Sequence, residues 1–89
     1  MKVVWSTVAK ENIDALKSCL LENFGEKATI EFLTKLLSAV EIISQYPEIG
    51  KRIGKNKRAF VVVRQISVYY RIEEHIEIIM LWDNRQMPN

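Results

Sequence analysis

Ala59-Phe60-Val61-Val62-Val63-Arg64-Gln65-Ile66-Ser67-Val68-Tyr69-Tyr70-Arg71-Ile72 decides the fold. Residues 59–63 are an apolar, β-branched run too short for a helix and read as a strand buried on both faces. Arg64-Gln65 is a tight turn. Beyond it Ile66, Val68, Tyr70 and Ile72 alternate with Ser67, Tyr69 and Arg71, the period of two that marks a strand with one apolar face. A Glu74-His75 turn leads to a further alternation, Ile76, Ile78, Met80 and Trp82 against Glu77, Ile79, Leu81 and Asp83.

Upstream the period changes. Ala9, Ile13, Leu16 and Leu20 recur at the spacing of a helix with one buried face, with Ser6 or Thr7 placed to cap its start. Ala28, Phe32, Leu36 and Val40 repeat the pattern between Glu26 and Gln45, and Leu33, Leu37 and Ile43 widen the stripe. That width either serves contact with both the first helix and the sheet or leaves apolar surface for a partner. The Asn23-Phe24-Gly25 connection makes an antiparallel helical hairpin, and Pro47 stops its second helix by disfavouring helical geometry at the residue before it. Lys2 to Trp5 forms a first strand. The expected order is β-α-α-β-β-β, an α+β fold with the helical hairpin packed on a mostly antiparallel four-stranded sheet.

The chain has 89 residues, which suffices for one core and one domain, residues 1–89. A single cysteine, Cys19, excludes an internal disulfide and a cysteine zinc site, fits a reducing compartment, and reads as a small buried hydrophobe beside the first stripe. The N-terminal stretch is broken by Ser6, Thr7 and Lys10 before any signal-peptide core develops, and no apolar run approaches the roughly 18 residues of a membrane span. A cytoplasmic protein without membrane contact is expected. No Gly-rich phosphate loop, Ser-His-Asp set or metal-ligand spacing is present, so no metal or nucleotide cofactor is implied. His75 reads as an exposed turn residue.

The formal net charge is only +2, but it is unevenly spread. Residues 1–50 carry −2 and residues 72–89 carry −3, whereas residues 51–71 carry +7 with no acid among them. Lys51, Arg52, Lys55, Lys57, Arg58, Arg64 and Arg71 therefore create a positive field suited to phosphate or to the carboxylates of an acidic segment. Tyr69, beside Arg71, is placed to add stacking to such a site.

The element order resembles the RelE/ParE superfamily of bacterial type II toxins. The resemblance is carried by the Tyr46-Pro47-Glu48-Ile49-Gly50 break, by Val68-Tyr69-Tyr70-Arg71-Ile72, and by the ending Trp82-Asp83-Asn84-Arg85-Gln86-Met87-Pro88. It implies a toxin neutralised by a cognate antitoxin, through which higher assemblies can form. RelE-like members cut messenger RNA on the ribosome; ParE-like members bind and poison DNA gyrase without hydrolysis. A ribonuclease needs a base for the ribose hydroxyl, cations around the phosphate and an acid for the leaving oxygen. The resemblance supplies Arg85 at the family's C-terminal arginine position, and Lys57, Arg58, Arg64 and Arg71 are further clamp candidates. Base and acid stay unassigned: the RelE-like arginine before the aromatic pair is replaced in Ile66-Ser67-Val68, and the chain ends Gln86-Met87-Pro88-Asn89 without the family's Tyr or His-Tyr. ParE-like inhibition by binding is the first expectation, with ribonuclease action the alternative. Asp83 is placed to pair with Arg85 or Arg71 and brace the C-terminal loop. Residues 51–71, with Arg85, are the expected binding surface, facing antitoxin, gyrase or ribosome.

Overall fold

The computed structural model describes residues 1–84 and places all the helical structure on one side of a single sheet. In chain order the elements are strand β1 (Val3–Trp5), helix α1 (Thr7–Gln45), a 3₁₀ turn at Pro47–Ile49, and strands β2 (Lys51–Gly54), β3 (Lys57–Val63), β4 (Ile66–Ile72) and β5 (Ile76–Asp83). The sheet order is β1-β5-β4-β3-β2. β1 runs parallel to β5 and every other pair is antiparallel.

The expected α+β layering stands, with two corrections. The first concerns the helices. In place of two helices joined by an Asn23-Phe24-Gly25 loop there is one helical element whose only non-helical residue is Gly25, at φ 89° and ψ 179°. A straight helix of 39 residues would run about 58 Å, beyond the 37 Å longest dimension of the molecule, so the element is bent at this glycine. A side chain disfavours that backbone region even though nothing lies within 4 Å of the position. Past the bend, Thr29 Oγ1 donates to the Gly25 carbonyl at 2.9 Å.

The second correction is a fifth strand. Lys51–Gly54 pairs with β3 through the Lys55-Asn56 turn, where Asn56 takes φ 60°. All four strand residues are exposed, so an edge strand with a single apolar residue, Ile53, offers no alternation to read. β3 is also less buried than its sequence suggests. Val61 is 59% exposed because it lies, with Ser67 and Trp82, on the sheet face opposite the helix. Cys19, expected to be buried, is exposed as well.

The core forms between the inner faces. Phe32, Leu36, Ala39 and Ile43 of α1 pack toward Ile66, Val68, Tyr70, Ile76, Ile78 and Leu81. Ile13, Leu16 and Leu20 pack against this cluster from the first half of α1, where Ala9 is completely buried. Polar side chains fix the seat of the helix on β5. Ser6 Oγ accepts from the Ala9 amide at 3.0 Å as the N-cap and donates to the Ile79 carbonyl at 2.6 Å. Asn12 Oδ1 accepts from the Leu81 amide at 3.0 Å. β1 ends at Trp5, so these two side chains take over hydrogen bonding along β5 where the short strand stops.

Gly25→Ala should cost about 1–2 kcal/mol in chemical denaturation, because a φ near +90° is strained for alanine. Unchanged or increased stability would show that the chain passes the bend without that conformation.

Candidate functional site

The basic residues gather at the end of the sheet where β2 turns into β3. Position 70 organises that end. Tyr70 is fully buried, and its hydroxyl donates to the Pro47 carbonyl at 2.6 Å while accepting from the Gly50 amide at 3.0 Å. The central strand is thereby tied to the turn that follows α1. Gly50 is required for the approach: a Cβ there would lie 2.6 Å from the Tyr70 hydroxyl oxygen and 2.9 Å from the Ala59 carbonyl oxygen. Burial raises the Tyr70 pKa above its ordinary 10.0, with the Gly50 hydrogen bond and the Arg58 charge opposing the shift.

Arg58 sits directly across the strand pair from Tyr70 and reaches the same turn. Its Nη1 donates to the Glu48 carbonyl at 2.9 Å and to the Gly50 carbonyl at 2.8 Å. The guanidinium is thus held by backbone oxygens. Arg52 lies opposite Arg58 on β2, and a cleft of about 260 Å³ opens here, lined by Glu48, Arg52, Asn56, Lys57, Arg58 and Ile72. Lys55 stands in the adjoining turn, and Lys51, one residue before Arg52, pairs with Ala59.

On the outer face Lys57, Arg71 and Glu77 occupy one row across three strands. Arg71 Nη1 is 3.8 Å from the Glu77 carboxylate, both side chains being more than one-third exposed, so the pair is weak and screened. Arg71 therefore faces Glu77 rather than Asp83, which stands opposite Ile66 at the other end of β5. In place of a free stacking surface, Tyr69 is stacked on Trp82, with ring centroids 6.0 Å apart and planes 20° off parallel. The Trp82 indole Nε1 is buried with no hydrogen-bond partner among the described residues.

Arg64 does not join the others. It occupies the β3–β4 turn, the whole length of β3 from Lys57, which is roughly 20 Å at strand rise. Its neighbours there are Asn84, whose Nδ2 donates to the Arg64 carbonyl at 3.3 Å, and Ser67, whose hydroxyl bonds Asn84. Arg85 lies outside the described residues. His75 is exposed between β4 and β5, as expected. The structure thus brings together Lys51, Arg52, Lys55, Lys57, Arg58 and Arg71 around one end of the sheet. Sequence reading missed that Tyr70, Gly50 and Pro47 anchor this end, although the quoted Tyr46-Pro47-Glu48-Ile49-Gly50 break and the Tyr69-Tyr70 pair contain all three.

The family model for the ParE toxin of the type II toxin-antitoxin system parDE matches residues 3–88. The chain belongs to the ParE toxin family. Among solved structures, the chromosomal ParDE toxin-antitoxin system of P. aeruginosa aligns with a TM-score of 0.80 at 17% identity, covering 93% of this chain and 95% of the other. The YoeB/ParE toxin from Agrobacterium tumefaciens aligns at 0.70 and 12% identity, over 93% of this chain and 98% of that one. The YoeB dimer from Staphylococcus aureus gives 0.63 and 15%, covering 90% and 92%. At these identities the alignments establish the shared fold. No curated protein sequence matches the chain. Family membership makes it a toxin of a type II toxin-antitoxin pair and implies a cognate antitoxin. No helix among the described residues is long and apolar enough to cross a membrane.

Tyr70→Phe should leave the Pro47 carbonyl and Gly50 amide of this ParE-family chain unpaired and cost about 2 kcal/mol. The phenol also sets a pH dependence. Its folded pKa is raised, so its contribution is intact below about pH 10 and falls as pH rises toward the folded pKa. Urea denaturation from pH 8 to 11 should show an alkaline loss of stability that shrinks in Tyr70→Phe; identical pH profiles would place the loss elsewhere.

Proposed function

We propose that the chain arrests bacterial growth in the ParE manner, by binding DNA gyrase in the cytoplasm rather than by cutting RNA, and that a cognate antitoxin holds it silent. The observation that carries this reading is the dispersal of the expected phosphate clamp. Among the described candidates, Arg58 spends Nη1 on the Glu48 and Gly50 carbonyls, Arg71 faces Glu77, and Arg64 stands at the opposite end of β3, so these three do not converge on one point. A transition-state clamp needs its cations to converge within hydrogen-bond distance of one phosphate. A binding surface has no such need, since spread charge suffices to steer and hold an acidic partner. The match over residues 3–88 to the ParE family model supports the same reading. A pair of this kind carried on a plasmid would favour the plasmid's retention.

Ribosome-dependent cleavage of messenger RNA is the second reading. It draws on the outer face, where Lys57 and Arg71 lie near the stacked Tyr69 and Trp82, a combination of cations and aromatic rings suited to single-stranded RNA.

Purified toxin added to gyrase supercoiling assays should inhibit supercoiling or trap cleaved DNA, and transcript ends mapped after induction without antitoxin should be unchanged. Normal supercoiling together with new cuts in ribosome-bound transcripts would replace the first reading by the second.

A further inference from the structure

We propose that the cleft between Arg52 and Arg58 is a seat for a carboxylate side chain of an extended acidic peptide lying along the free edge of β2. The strand register places Arg52 directly opposite Arg58. Directly opposed residues on antiparallel strands have Cβ atoms about 5 Å apart, and like charges at that spacing destabilise the pair. Neither guanidinium has an ion-pair carboxylate within 4.0 Å among the described residues, where the ion pair formed is Arg71 with Glu77. Two opposed cations without a close ion pair, with Lys57 also lining the cleft, favour a bound anion.

The site is also organised in advance. Two hydrogen bonds from Nη1 to main-chain oxygens hold the Arg58 guanidinium, while its Nη2 and Nε donate to none of the described residues. Those free N–H groups give the planar donor geometry that carboxylates accept. Asn56, held by the turn at φ 60°, contributes an amide at the rim.

Peptide carboxylate fits the surroundings better than nucleic-acid phosphate for two reasons. Glu48 lines the same cleft, and its charge opposes a polyanion more than a single carboxylate. β2 is the last strand of the sheet, all its residues are exposed, and its outer backbone groups have no strand partner among the described residues. An extended peptide can satisfy those groups as an added strand, with alternate side chains directed to one face. Ile72 lines the cleft and offers apolar contact. Arg64 takes no part, so the basic segment reduces to a two-arginine seat at one end of the sheet. This deepens the antitoxin reading by naming the chemistry a partner presents, yet rests on hairpin geometry; the probe below contains no antitoxin, so either can fail without the other.

The test is a ¹H–¹⁵N NMR titration of the full chain with a capped hexapeptide of alternating valine and glutamate. The same peptide with glutamine and a uridine hexanucleotide serve as comparisons. The glutamate peptide should shift the β2 amides and the Nε–H signals of Arg52 and Arg58, binding at least tenfold more tightly than the glutamine peptide. Arg52→Gln changes an exposed side chain and should weaken binding about tenfold while leaving the Gly50 amide signal in place, whereas Arg52→Lys should retain part of it. Equal binding of the two peptides, shifts that bypass Arg52 and Arg58, or tighter binding of the hexanucleotide at these signals would overturn the assignment.

Discussion

The phenol hydroxyl of Tyr70 connects the helical layer of this toxin to its sheet, donating to Pro47 and accepting from Gly50 in a space where no Cβ fits. The rest of the basic end depends on it. The turn that closes α1 is short and its large apolar side chains, Tyr46 and Ile49, are exposed, so polar bonds set its position against β4. Arg58 adds two more from the neighbouring strand. From this turn β2 begins at Lys51 and pairs with β3, which places Arg52 opposite Arg58. The charge arrangement is thus a consequence of a buried hydrogen-bond geometry as much as of the number of basic residues.

Local pattern made the central strands and the helical faces legible. Ile66, Val68 and Tyr70 alternate cleanly because one side faces the helix, and Phe32, Leu36 and Ile43 recur at helical spacing because one stripe meets the sheet. Patterns failed where tertiary context decides. Val61 sits within an apolar run yet lies on the outer face. Lys51–Gly54 pairs by its backbone alone, with no buried side to leave a signal. Gly25 is visible as a break, but its ability to bend a helix at one residue, without a loop, depends on a backbone angle that sequence spacing does not encode.

For the candidate site, sequence located the positive field and structure divided it. Lys51, Arg52, Lys55, Lys57, Arg58 and Arg71 share one end, while Arg64 is carried to the other by the seven residues of β3. Even within the cluster the side chains differ in role: Arg58 braces a turn, Arg71 meets Glu77, and Arg52 projects from an edge strand. A near-neutral chain can therefore present a strongly polarised edge.

The most direct measure of this account is the hydrogen-exchange rate of the Gly50 amide. If its bond to the buried Tyr70 hydroxyl anchors the basic end, that amide should exchange as slowly as those of Val68 and Ile78, through global unfolding. Exchange at the rate of an exposed turn amide, such as that of Lys55, would contradict the claim that Tyr70 holds the two layers together.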